Sequence, residues 1–170
     1  MTKYYAGIGS RETPQDIQDK MGEISLRLSK QNYILRSGNA HGADQAFAYK
    51  AAQAEIWLPW RSFNKADQLV LSHHTYKVIS EKDKEAFDSS SFHPVGFNLP
   101  ETVKKLMARN YRQLIGFDGA PNSEFVVCWT KDGKDTGGTG QALRIATHHN
   151  IPIYNLFLEN VYEELVKSIF

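Results

Sequence analysis

Tyr33-Ile34-Leu35-Arg36-Ser37-Gly38-Asn39-Ala40-His41-Gly42-Ala43-Asp44 is the stretch on which the reading of the fold turns. Its apolar start, Tyr33 to Leu35, predicts a strand, and the alanine-rich segment from about Ala43 to Gln53 predicts a helix. Between them Gly38 and Gly42 supply backbone freedom for a tight connection. The same strand, glycine loop and helix occur upstream. Tyr4 to Ile8 predicts a strand running into Gly7-Ile8-Gly9-Ser10-Arg11, and Ile17, Met21, Ile24 and Leu28 give helical spacing across Ile17 to Ser29.

Downstream the alternation continues with one interruption. Glu55 to Trp60 predicts a third strand, closed by Pro59. The rhythm is lost between Arg61 and Leu99, read as an excursion that is partly helical from Lys65 to Ser80. A helix resumes near Pro100, which suits a first-turn position, and runs through Val103, Leu106, Met107, Tyr111 and Leu114 toward Gly116. Glu124 to Trp129 predicts a strand, Thr130 to Gly137 a loop, and about Thr139 to His149 a helix. Pro152 to Leu156 predicts a last strand before a short terminal helix. Strands joined through helices imply parallel neighbours, since a parallel pair needs a crossover. The expected fold class is therefore α/β: a single Rossmann-like domain over residues 1–170, with a mostly parallel sheet and helices on both faces. No internal repeat or low-complexity linker divides it.

Bulk composition narrows the partners. The 170 residues carry 20 Lys and Arg against 19 Asp and Glu, a formal charge of +1, whereas proteins that live on duplex DNA usually show a basic excess. The lone cysteine, Cys128, lies in the apolar run Phe125 to Trp129 and predicts a buried, inert thiol in a reducing compartment. A strand-like segment begins within three residues of the N-terminus, and no apolar run approaches the ~20 residues of a membrane span. The expected location is the cytoplasm, with no membrane partner. His73-His74 and His148-His149 are adjacent pairs without the one-face spacing of a metal site, so no metal is expected.

In open α/β sheets ligands bind beyond the carboxyl ends of the strands, and each glycine cluster falls there. In the first, Gly9 and Ser10 let backbone amides approach a ligand, and Arg11 offers a forked cation for phosphate or carboxylate; a tight turn with Arg11 solvated is the alternative. In the second, Ser37 and Asp44 are suited to holding a sugar hydroxyl or to fixing the loop, and Asp44 equally to stabilising the first helical turn. His41 reads as a base, a phosphate donor or an exposed loop residue. In the third, Gly137, Gly138, Thr139 and Gln141 precede or open a helix whose dipole would face an anion, with a flexible connection as the alternative. It lacks the Lys-Ser or Lys-Thr ending of a P-loop. Trp60 and Trp129 stand at strand ends, where core packing and base stacking both fit. Arg109 and Asn110 lie within the helix after Pro100, Arg109 as a solvated cation or an inward phosphate clamp; that helix's apolar side serves either core or a homo-oligomer interface.

Taken together, Ala6-Gly7-Ile8-Gly9-Ser10-Arg11, Ser37-Gly38-Asn39-Ala40-His41-Gly42-Ala43-Asp44, Ala108-Arg109-Asn110 and Gly137-Gly138-Thr139-Gly140-Gln141-Ala142 resemble the SLOG superfamily. This group unites the DNA-processing protein A (DprA/Smf) and lonely-guy (LOG) families. The chain is most similar to the small stand-alone DprA-like proteins of bacteriophage genomes, which would place it in a bacterial host's cytoplasm. The resemblance implies a Rossmann-like fold that binds nucleotides or molecules derived from them, and it makes Arg109 a pocket residue. Lonely-guy hydrolases carry a catalytic glutamate after their glycine loop, whereas Gly137-Gly138-Thr139-Gly140-Gln141 leads here to Leu143 and Arg144.

The first expectation is thus a sensor or sequestering protein for a nucleotide or a nucleotide-derived phosphorylated small molecule, with Arg11 and Arg109 on phosphate and no cofactor required. The alternative is an N-glycosidic hydrolase or transferase acting on nucleoside monophosphates, with Glu12 or Asp44 as the acid. A third reading is a DprA-like single-stranded DNA-binding recombination mediator using Arg11, Lys131, Lys134 and Arg144 along an open groove.

Overall fold

A computed structural model describes residues 1–66, 73–90 and 99–170. The chain runs β1 (Lys3–Gly7), α1 (Gln15–Lys30), β2 (Tyr33–Ser37), α2 (Ala43–Lys50), β3 (Ala54–Leu58), a 3-10 turn (Phe63–Lys65), β4 (Thr75–Val78) and α3 (Glu81–Ser90). Then follow α4 (Glu101–Leu114), β5 (Val126–Cys128), α5 (Gly137–His148), β6 (Ile153–Asn155) and α6 (Val161–Ile169). The strands form one six-stranded sheet in the order β4-β3-β2-β1-β5-β6, and every pairing is parallel. The expected α/β, Rossmann-like architecture is what forms.

Period-two alternation along the strands divides the core between two faces. Tyr5 and Val127 pack with Met21, Ile24, Phe47 and Leu165, so α1, α2 and α6 cover one face. Ala6, Val126 and Cys128 pack with Leu114, Leu143 and Ile145, which puts α4 and α5 on the other. Each strand of the pair β1 and β5 is buried on both sides, hence their near-continuous apolar sequence. Burial pushes the Cys128 thiol up to about 12, the inert state expected of it. Trp57 and Trp129 are buried, and Trp60 packs edge-on against Phe63.

The excursion is where the sequence reading fails. Residues 67–72 and 91–98 of the expected Arg61 to Leu99 excursion lie outside the described residues. In the rest, Thr75–Val78 is a strand rather than the tail of a helix over Lys65 to Ser80, and it extends the sheet beside β3. The helix comes later, at Glu81–Ser90. Four residues are too few to show periodicity, and this strand is fixed by its ladder with β3 rather than by its own pattern. The helix expected from about Thr139 also starts two residues earlier, so the glycines Gly137 and Gly138 form its first turn.

Candidate functional site

In the sheet order the chain leaves β1 toward β2 on one side, while β5 lies on the other. Loops that follow β1 and β5 therefore diverge to opposite faces, and a crevice opens between them at the carboxyl edge. The β1 loop begins as a continuation of the ladder: Ile8 donates its amide to Val127 at 3.1 Å and Ser10 to Trp129 at 3.1 Å. The β2 loop leans against it. Gly42, the residue before α2, sits at φ +83, and a side-chain carbon there would meet the carbonyls of Ser10 and Arg11 at 2.8 and 2.9 Å. No other residue type allows both that backbone angle and that approach.

The crevice is a cavity of about 480 Å³. Ala40, Asp44, Arg109 and Gln113 form its floor, with Leu106 and Met107 of α4 as an apolar side. Its rim carries Ser10, Arg11 and Glu12 from the β1 loop, Thr130 and Lys131 after β5, and Thr136 through Thr139 at the start of α5. Lys131 and Glu12 face each other across the rim at 3.4 Å, both well exposed, a contact worth little in water.

Arg109 is buried. Its Nη1 donates to the Gly38 carbonyl at 3.1 Å and its Nη2 to Asn110 Oδ1 at 3.2 Å, while the guanidinium stands over the Phe63 ring at 5.2 Å. Among the described residues its Nε has no partner. Burial lowers its pKa; the charge of Asp44 opposes that, and the charge of Arg11 adds to it more weakly. Asp44 is buried in the first turn of α2 and accepts the Ala40 amide at 3.2 Å. Desolvation pushes its carboxyl up to about 6, against the charge of Arg109 and backbone amides of Ala40, Gly38 and Gly9. Asn110 ties α4 to α5 through Nδ2, which donates to Gly138 O at 3.1 Å and Gln141 Oε1 at 3.3 Å.

The start of α5 is open. Thr136 is its N-cap residue, yet its hydroxyl donates to Asp132 at 2.9 Å instead of accepting from the helix. First-turn amides have no intrahelical acceptor, and side-chain carbons on Gly137 or Gly138 would touch nothing within 4 Å. An anion seated there meets bare N–H groups at the positive end of the dipole.

The residues named from sequence separate into two sets. Gly9, Ser10, Arg11, Glu12, Asp44, Arg109, Asn110, Gly137, Gly138 and Thr139 line the crevice. Ser37, Gly38, His41, Gly42 and Gln141 do not. Ser37 is buried and donates to the Gly7 carbonyl at 2.6 Å, locking two strand ends together. Gln141 holds Asn110 from behind. His41 points outward, its ring 3.3 Å from Gln45, because the turn into α2 directs that position to solvent. Sequence reasoning passed over Gln113, which reaches the floor from one turn beyond Arg109. The four-residue spacing was the available signal. Among the described residues no group of three or more His, Cys, Asp or Glu is placed to hold a metal, and no helix is long and apolar enough to cross a membrane.

Among solved structures the chain is similar to DNA processing protein A from Helicobacter pylori, in a structure described for its single-stranded DNA binding mode. The TM-score is 0.62 at 16% identity, covering 98% of this chain and 73% of that one. The two share a fold. No protein-family model and no curated protein matches the sequence.

Proposed function

We propose that the crevice binds the phosphate of a nucleotide or a nucleotide-derived small molecule, as a sensor or sequestering protein would. The observation that carries this reading is the convergence of Arg11, Arg109 and the uncapped start of α5 on one cavity, where the carboxylate of Asp44 acts on Arg109 more strongly than the charge of Arg11 does. An anion between Arg11 and Arg109 adds counter-charge to that of Asp44 and takes charge-assisted hydrogen bonds from the exposed Arg11. The uncapped start of α5 supplies amides to the same anion. A volume of about 480 Å³ lies within the range of small-molecule sites, roughly 300–1,000 Å³.

Thermal unfolding against a panel of nucleotides tests it. A ligand at 100 times its dissociation constant adds about 2.7 kcal/mol, or roughly 5–10 °C for a chain of this size. Arg11→Ala, at an exposed position, should remove most of that shift with the unliganded melting temperature intact. No shift with any nucleotide would sink the proposal, and accumulation of free base would assign turnover in its place, with Glu12 or Asp44 of the lining as the carboxylate.

A second reading is supported by the shared fold. The protein from Helicobacter pylori is described as binding single-stranded DNA, and Arg11 and Lys131 on the rim, with Lys134 and Arg144 nearby in sequence, are cations suited to a backbone path. Binding of a labelled oligonucleotide that weakens steeply with salt would favour it. Binding of mononucleotides alone would not.

A further inference from the structure

Arg11 and Lys131 reach the mouth of the crevice from its two walls, Arg11 on the loop after β1 and Lys131 on the loop after β5, and both line the cavity. They are not equally available. Among the described residues Arg11 makes no ion pair, whereas both carboxylate oxygens of Glu12 lie 3.4 Å from Lys131 Nζ. Each end of that bridge springs from anchored backbone. The Glu12 amide donates to Ser10 Oγ at 3.0 Å, and the Thr13 hydroxyl donates to the Ser10 carbonyl at 2.6 Å, which closes the turn that carries Glu12. On the other wall Thr130, next to Lys131, donates its amide to Asn155 Oδ1 at 3.3 Å and accepts from Asn155 Nδ2 at 2.7 Å. The two backbones are held while the side chains between them stay exposed.

A carboxylate on a cation at the mouth of an anion site occupies the place that a ligand oxygen would take. We infer that Lys131 is a further binding residue of the crevice and Glu12 its resident competitor: an incoming phosphate group takes Lys131 over from Glu12, and the bridge between the two walls opens as the site fills. The inference rests on the phosphate reading above. Exposure makes the exchange feasible, because the pair is weak in water and yields to an anion that Arg11 and the α5 amides hold at the same time.

Calorimetric titration of four chains tests it: wild type, Glu12→Gln, Lys131→Met and the double variant, each with inorganic phosphate, pyrophosphate and an oligothymidylate. Both positions are exposed, so the four should melt alike. Glu12→Gln should tighten phosphate and pyrophosphate about twofold to fivefold, the scale of an exposed pair, and Lys131→Met should weaken them. The gain from Glu12→Gln should vanish in the Lys131→Met background, where no cation is left to release. A gain of equal size with and without Lys131 is simple repulsion between Glu12 and the anion; that result, or no gain at all, overturns the exchange and leaves the anion site standing. If no probe binds any of the four chains, the exchange and the anion site both fall. The same coupling found with the oligothymidylate and not with phosphate or pyrophosphate would keep the exchange and assign the phosphate to a strand's backbone.

Discussion

Arg109 and Arg112 lie three residues apart on α4, both buried to the same degree, and they are treated oppositely. Arg112 donates Nε to Asp83 at 2.7 Å and Nη1 to the Gly116 carbonyl at 3.1 Å, with the Phe117 ring 4.9 Å away. Arg36, also buried, is as fully provided: Glu55 at 3.0 Å, the Pro121 carbonyl at 2.8 Å and the Tyr4 ring at 3.7 Å. Arg109 has two neutral acceptors and, among the described residues, no carboxylate within ion-pair distance; Asp44 acts on it from farther off, and Arg11 opposes that more weakly. A buried cation is costly unless paired. Where a carboxylate lies in contact, the arginine is structural; where the nearest one, Asp44, acts from beyond contact beside an open cavity, the guanidinium is the one that the proposed anion would meet.

The largest effect is expected from Arg112→Ala, which strands Asp83 in the interior and should cost about 3–5 kcal/mol in urea unfolding. A cost below 1 kcal/mol would remove the distinction between the two arginines.

Asp44 comes next. Its folded carboxyl titrates near 6, above the unfolded value of about 3.9, so between those pH values the folded chain holds a proton that the unfolded chain has released. That contribution is fully present below about pH 4 and is lost as pH rises through 6, by at most about 3 kcal/mol. Asp44→Asn should therefore gain stability relative to the native chain between pH 4 and pH 7. A difference that stays flat, or runs the other way, would show that Arg109 and the backbone amides outweigh burial.

Arg109→Met sharpens the contrast directly. Replacing an incompletely paired buried charge by a similar apolar volume should change stability by less than about 2 kcal/mol, well under the Arg112→Ala cost, while abolishing nucleotide-induced stabilisation. Equal losses at both positions would make Arg109 structural too. The smallest effect is expected for Arg11→Ala, within about 0.5 kcal/mol in the absence of ligand, with the loss confined to binding.

Local pattern was enough for most of the fold. Apolar runs such as Tyr33 to Leu35 and the 3.6-residue spacing through Ile17, Met21, Ile24 and Leu28 depend on which face each element buries, and that is written in consecutive residues. The glycine clusters after β1 and β2 and at the start of α5 were visible for the same reason, since a chain turning sharply at a strand end needs them locally. β4 escaped because a short edge strand owes its existence to its neighbour.

What the sequence alone determined, then, was a parallel α/β chain with glycine-rich loops at its strand ends. Tertiary structure decided which loops share a cavity. Setting β5 beside β1 brings residues more than a hundred positions apart to one crevice, and the return of α4 across the sheet drops Arg109 and Gln113 into its floor beside Asp44. The same packing turns His41 to solvent and puts Ser37 to work as a strap between strands. These outcomes depend on crossovers and strand order, long-range choices that fix direction and burial for side chains whose own neighbours in sequence carry no record of them.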